Sequence, residues 1–223
     1  MHAPATQFPP AQSYPVNVFL DQQLVERNRL TTFFRILLAL PHLLLVGGPT
    51  SVVAWFSWGT ESGRYDWGAS GLLGAVAFIC AVIAWFAILF TGRHPEGLWK
   101  LAAFYVRWRV RVNAYVTLLR DEYPPFGDDT YPAAVEIEPP VAPRNRLTVA
   151  FRLILAIPHL IVLGLLGIAW FVITVWAWLS ILFTGRYPEP VYGFSFGMLR
   201  WNARVDAYVL LLVDDYPPFS LHS

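Results

Sequence analysis

Three stretches of the chain carry no Asp, Glu, Lys or Arg: residues 36–60, 67–92 and 153–185, which hold 25, 26 and 33 residues. A hydrocarbon layer roughly 30 Å thick is crossed by about 20 helical residues, so each of the first two reads as one crossing. As one helix, the third would run roughly 50 Å at 1.5 Å per residue. That is long for one upright crossing and tight for two. Gly164 and Gly167 near its middle offer a place for a sharp reversal, so four crossings are expected, the last two as a tight hairpin. The rest of the chain does not dilute this signal. Apolar residues make up 56% and charged residues 14%, against about 25% charged in a soluble domain. The mean hydropathy is +0.47. These figures exclude a disordered chain and a disulfide scaffold, since Cys80 is the single cysteine. A net charge of +1 gives no reason to expect a nucleic-acid partner. The first 25 residues, rich in Pro and Gln, lack the basic start and apolar run of a secretory signal. Residues 1–13 read as a disordered tail.

The chain is internally duplicated. Arg27-Asn-Arg-Leu-Thr31 returns as Arg144-Asn-Arg-Leu-Thr148, an offset of 117 that also pairs Phe34-Arg35 with Phe151-Arg152 and Pro41-His42 with Pro158-His159. Ile88-Leu-Phe-Thr-Gly-Arg93 returns as Ile181-Leu-Phe-Thr-Gly-Arg186, and Asp121-Glu-Tyr-Pro-Pro-Phe126 as Asp214-Asp-Tyr-Pro-Pro-Phe219, now offset by 93. The difference places a 24-residue insertion in the first unit, around a turn-rich loop at 59–66. The units are 14–126 and 131–219, joined by a link at 127–130.

Each unit reads in the same order. A short alternating stretch, Val16-Asn-Val-Phe-Leu-Asp21 or Ala134-Val-Glu-Ile-Glu138, suits a strand outside the bilayer. Asn28 or Asn145 then caps a helix. Crossings are expected over about 34–58 and 69–91, and over about 148–165 and 167–185. The second of each pair ends at Thr-Gly-Arg-x-Pro, with Gly in a left-handed cap. A further helix follows at about 96–120 or 189–213. Its three–four spacing (Leu98, Leu101, Tyr105, Trp108, Val112, Tyr115, Leu119) is interleaved with arginines, which suits a helix lying in the headgroup plane. The rival reading of that spacing is a coiled-coil seam. The fold expected is thus an all-α membrane protein with four transmembrane helices in two tandem parallel repeats. Each repeat carries an amphipathic interfacial helix and a short cytoplasmic strand-like segment, placed near its own Tyr-Pro-Pro-Phe turn.

The motifs Phe-Arg-x-x-Leu-Ala-x-Pro-His-Leu, Ile-Leu-Phe-Thr-Gly-Arg-x-Pro-Glu, Arg-Trp-x-x-Arg-Val-x-Ala-Tyr and Asp-x-Tyr-Pro-Pro-Phe resemble a prokaryotic membrane family catalogued as domain of unknown function 4389. Both units carry the resemblance, from Tyr14 to Phe219, the second more fully; the first has His94 where the second has Tyr187. The resemblance implies a multi-pass membrane protein of bacteria or archaea, and implies no reaction.

No nucleotide loop, no His-Glu-x-x-His, no paired cysteines and no Gly-x-Ser-x-Gly occur. No enzyme activity, cofactor or metal is therefore expected. The candidate polar membrane site is Arg35 with His42, repeated as Arg152 with His159. Seven residues, two helical turns, set each pair on one helix face. Such groups either mark a pathway or simply satisfy a Pro-freed carbonyl and snorkel to phosphates; the second reading is favoured. Arg93, Arg107, Arg111, Arg186, Arg200 and Arg204 are candidate lipid-headgroup contacts. The acids at 121–122 and 214–215 read as solvated turns.

The favoured function is a non-enzymatic scaffold or partner subunit at the cytoplasmic surface of the cell membrane, with lipids and another membrane protein, or itself, as partners. The alternatives are a small transporter or channel built on the Arg–His positions and an interfacial lipid-modifying enzyme. With four crossings, fifteen of the sixteen Lys and Arg fall on one side, Arg64 being the exception. Positive charge stays inside, so both termini are expected in the cytoplasm.

Overall fold

A computed structural model describes residues 14–49, 71–140 and 144–222. The tail at 1–13, the loop at 59–66 and the outer part of the expected first crossing lie outside the described residues. The elements are β1 (Val16–Leu20), α1 (Arg29–Phe33), α2 (Arg35–Val46), α3 (Gly71–Thr91), α4 (Glu96–Val116), β2 (Ala133–Ile137), α5 (Arg146–Ala150), α6 (Arg152–Thr184) and α7 (Glu189–Val209). The short helices start where the sequence places them. Asn28 Oδ1 accepts from the Leu30 and Thr31 amides, and Asn145 Oδ1 from those of Leu147 and Thr148. Gly92 and Gly185, at φ 73° and 71°, end α3 and α6 in the left-handed region that glycine enters without strain.

The expected hairpin within 153–185 does not form. Helix α6 runs unbroken for 33 residues through Pro158, Gly164 and Gly167. A glycine inside a helix costs about 1 kcal/mol, too little to reverse a chain whose buried face is held along its whole length. That face carries Arg152, Ala156, His159, Leu163, Gly167, Trp170, Ala177 and Ile181. The crossings expected at 148–165 and 167–185 are thus parts of one helix, preceded by the separate turn of α5.

The first unit builds the same rod from two pieces. Gly47 and Gly71 both correspond to Gly164, one by each offset. Helix α2 stops at Val46, and α3 starts at Gly71 hard against it. A Cβ on Gly71 would lie 2.5 Å from the Leu45 carbonyl carbon. The insertion therefore interrupts a helix that resumes where it stopped.

Helices α4 and α7 are not half-immersed surface helices either. Trp108 and Tyr115 face α2, while Ala103, Val110 and Ala114, on the opposite side of α4, are equally buried. Helix α4 also packs on α7, and β2 and β1 pack on α4 and α7 respectively. Three layers result: the sheet, then α4 with α7, then the long helices. The three–four stripe marks the face turned to the long helices, and the arginines between its positions are spent on other protein groups.

The strands pair with each other rather than with the Tyr-Pro-Pro-Phe turns. Their antiparallel register is Val16↔Ile137, Val18↔Val135 and Leu20↔Ala133. Since 16 corresponds to 133 and 20 to 137, a pseudo-two-fold axis passes between Val18 and Val135.

Candidate functional site

Each unit carries one polar knot, where the start of its long helix meets the end of its return helix. In the first, Arg35 Nη2 lies 2.5 Å from Asp121 Oδ1, and Arg27 Nη2 lies 2.9 Å from the same oxygen. Arg27 also donates to the Leu118 carbonyl at 2.5 Å and Arg35 to that of Arg120 at 3.2 Å. In the second, Arg144 and Arg152 share Asp214 Oδ1. Arg144 donates to Leu211 O and Arg152 to Val213 O, both at 2.7 Å. The guanidinium carbons of Arg35 and Arg152 each stand 4.2 Å from the ring centre of Tyr115 or Tyr208. The accepting carbonyls are free because Leu118 and Leu211, at φ 62° and 63°, end α4 and α7 with a left-handed turn.

The histidines sit one layer further in, fully buried. His42 Nδ1 accepts from Trp108 Nε1 at 3.2 Å and His159 Nδ1 from Trp201 Nε1 at 3.1 Å. This leaves the proton on Nε2, and the Pro124 and Pro217 carbonyls of the two Tyr-Pro-Pro-Phe turns interact with the rings of His42 and His159. Each ring stacks on the phenylalanine of Tyr-Pro-Pro-Phe, with centroids 4.2 Å apart at Phe126 and 3.9 Å at Phe219. Arg and His thus share a face, as their spacing requires, but they bind different partners. The histidine takes an indole proton, not a carbonyl released by proline.

The units are also tied to each other symmetrically. Trp85 Nε1 donates to Val149 O and Trp178 Nε1 to Thr32 O, both at 3.0 Å. The Tyr131 hydroxyl donates to Glu122 O at 2.8 Å and the Tyr14 hydroxyl to Asp215 O at 3.1 Å. Not every link is symmetric. Arg109 pairs with Asp206 deep between α4 and α7, where the corresponding residues are Asn202 and Asn113. Burial lifts the Asp206 carboxyl to about 6 against the pull of Arg109.

The expected headgroup arginines divide into three pairs. Arg111 is buried on Gly127 O and Asp128, and Arg204 is buried over the Tyr14 ring, so neither reaches a headgroup. Arg107 pairs with Asp128 and Arg200 lies over Phe196. Arg93 and Arg186 stay exposed with no ion pair among the described residues. Asp121 and Asp214, read from sequence as solvated, are the counter-ions of the knots. Their reappearance at the same offset as Tyr-Pro-Pro-Phe was the available signal. No group of three or more metal-ligating side chains occurs among the described residues.

These features define a pseudo-symmetric helical protein whose two halves each close a buried Arg–Asp and His–Trp knot beneath a long apolar helix. The chain belongs to the family described as domain of unknown function (DUF4389), whose model matches residues 67–127 and 146–220. The first match begins only at 67, close to the end of the insertion that leads into α3. No curated protein and no solved structure matches the chain.

Proposed function

We propose that the protein is a non-enzymatic scaffold bound to the cell membrane, its polar side at the cytoplasmic surface. The observation that carries this reading is the apolar exposure of α3 and α6. Both are long and apolar enough to cross a membrane, with mean hydropathy of 2.7 and 2.5, yet only 33% and 28% of their most apolar windows are buried in the protein. A core helix of a soluble domain would be mostly covered; these rods show water-avoiding side chains from Ile154 to Phe183. The buried groups support a holding role, because each arginine of the knots is tied to a carboxylate and each histidine to an indole. Cell fractionation and mild-detergent capture test the proposal. The chain is expected in the membrane pellet with co-purifying lipids and protein, and recovery in the soluble fraction would refute it.

A small transporter is the second reading, favoured by the two fully buried imidazoles of His42 and His159 beneath the long helices. Flux into liposomes carrying the full chain separates the two. Transport that His42→Ala and His159→Ala each abolish, in folded protein, would establish the transporter.

A further inference from the structure

The long helices cannot stand upright without drawing polar structure into lipid. Unbroken α6 is roughly 50 Å long, and both its ends are tethered. At its start, Arg152 shares Asp214 with Arg144, whose amide donates to the Gly92 carbonyl ending α3. Past its end, the Gly185 carbonyl accepts the amide of Arg27, which shares Asp121 with Arg35 at the start of α2. The rod of α2 and α3 therefore runs opposite to α6 over the same length. Helix α7 runs back beneath α6, Trp201 against His159 and Tyr208 against Arg152, and the sheet lies beneath α7 and α4. Upright rods would carry this two-stranded sheet, with exposed Glu136 and open edges, into the hydrocarbon, where unpaired backbone groups cost several kcal/mol each.

The rod ends are basic. Arg27, Arg29 and Arg186 line one cleft of about 500 Å³ with Gly185 and the single, exposed carboxylate of Glu26, and Arg29 lies so close that a Cβ on Gly185 would be 3.5 Å from its Nη2. At the other end, Arg146 stands in the same relation to Gly92, with Arg93 next to it (Cβ to Nη2 3.4 Å). None of Arg29, Arg186, Arg93 and Arg146 has an ion-pair partner among the described residues. Beside the first two stand Leu30 and Phe183, and beside the second two Leu147 and Phe90, all exposed. A charge-assisted guanidinium pair next to exposed apolar side chains fits a phosphate that carries acyl chains.

Building on the membrane-bound reading, we propose that the protein lies within one leaflet. The rods of α2–α3 and α6 rest along the membrane with their outer faces among the acyl chains. Arg29 with Arg186, and Arg93 with Arg146, hold the phosphates of anionic lipids in that same leaflet. The pseudo-two-fold axis then stands along the membrane normal, and the described positive charges share one side without any crossing.

Two readouts on the full chain test this. With Cys80→Ser as background, Glu189→Cys and Asp215→Cys mark the two ends of α6. In sealed vesicles of either orientation, an impermeant maleimide is expected to label both or neither. Labelling of one alone means that α6 crosses and overturns the proposal, while the chain would still sediment with membranes; a chain absent from the vesicles instead defeats the membrane-bound reading. Native mass spectrometry of purified chain offered mixed phosphatidylglycerol and phosphatidylcholine is expected to show about two retained phosphatidylglycerols. Arg29→Gln with Arg186→Gln should leave about one, and adding Arg93→Gln with Arg146→Gln none, at unchanged circular dichroism. Unchanged retention in the quadruple variant, or displacement of the lipid by millimolar inorganic phosphate, would overturn the headgroup sites.

Discussion

Val18 stands directly opposite Val135 in the β1–β2 ladder, and the two are the same position in the two halves of the chain. A strand that pairs antiparallel with its own equivalent, centred on one residue, defines a two-fold axis. The protein is therefore the covalent form of a symmetric dimer. The knots, the Trp85 and Trp178 links and the arginine pairs at the rod ends all come in twos for this reason.

The Asp121 carboxylate bridges two arginines whose side chains are almost wholly buried. Asp121→Asn keeps the shape and strands both charges, an uncompensated burial that costs about 3 kcal/mol or more. Asp214→Asn should cost a similar amount. Thermal unfolding in detergent is expected to show two comparable losses of midpoint; wild-type stability in either variant would mean that water reaches the guanidiniums.

Two carboxylates should titrate with opposite sign. Burial alone would raise Asp214, but the Arg144 and Arg152 guanidiniums hold it below the ordinary value of 3.8. Its contribution is present above that value and lost as pH falls through the folded-state value. Asp206 is lifted to about 6 by burial. Its contribution is complete below about 3.8 and lost as pH rises through about 6. In unfolding midpoints measured against pH, Asp214→Asn should flatten the acid limb, and Asp206→Asn the slope between about 4 and 6.

Since Gly47 and Gly71 occupy one helical position in turn, removing residues 47–70 should join Val46 to Gly71 as a continuous rod like α6. The shortened chain is expected to fold, with unchanged helical signal per helical residue and a midpoint within a few degrees of the parent. Aggregation or loss of the near-ultraviolet signal would show that α2 and α3 are not one interrupted helix.

At Gly197 a Cβ would come within 2.7 Å of both the Cβ and the carbonyl oxygen of Leu221. Gly197→Ala should therefore lift the C-terminal segment off α7 at a cost of about 1–2 kcal/mol. In a chain ending at Ser220 the same substitution should cost less. Equal costs in the two backgrounds would remove the contact as the cause.

Local signals in the sequence carried their own outcomes. The Asn28 and Asn145 caps, the glycine stops at 92 and 185 and the strand-like alternation act within a turn or two of the backbone, and the helix starts, helix ends and strands they mark stand where they place them. The placing of Arg with His on one face was equally legible, because helical period alone decides it. Other features rest on partners far away in the chain. Gly164 and Gly167 are compatible with a turn or with a helix, and the choice fell to partners on both halves of α6: α7 beside Arg152 and His159, and α1 beside Trp178. The arginines of α4 and α7 carry the same local pattern whether they meet phosphates or carboxylates. Asp206, Asp128 and the sheet buried Arg109, Arg111 and Arg204, while Arg29, Arg93, Arg146 and Arg186 were left at the rod ends. Propensity and periodicity are properties of a segment, so the sequence alone determined what each segment is. Which of two compatible faces is buried depends on the area and charge another segment brings to it, and that only the tertiary structure decided.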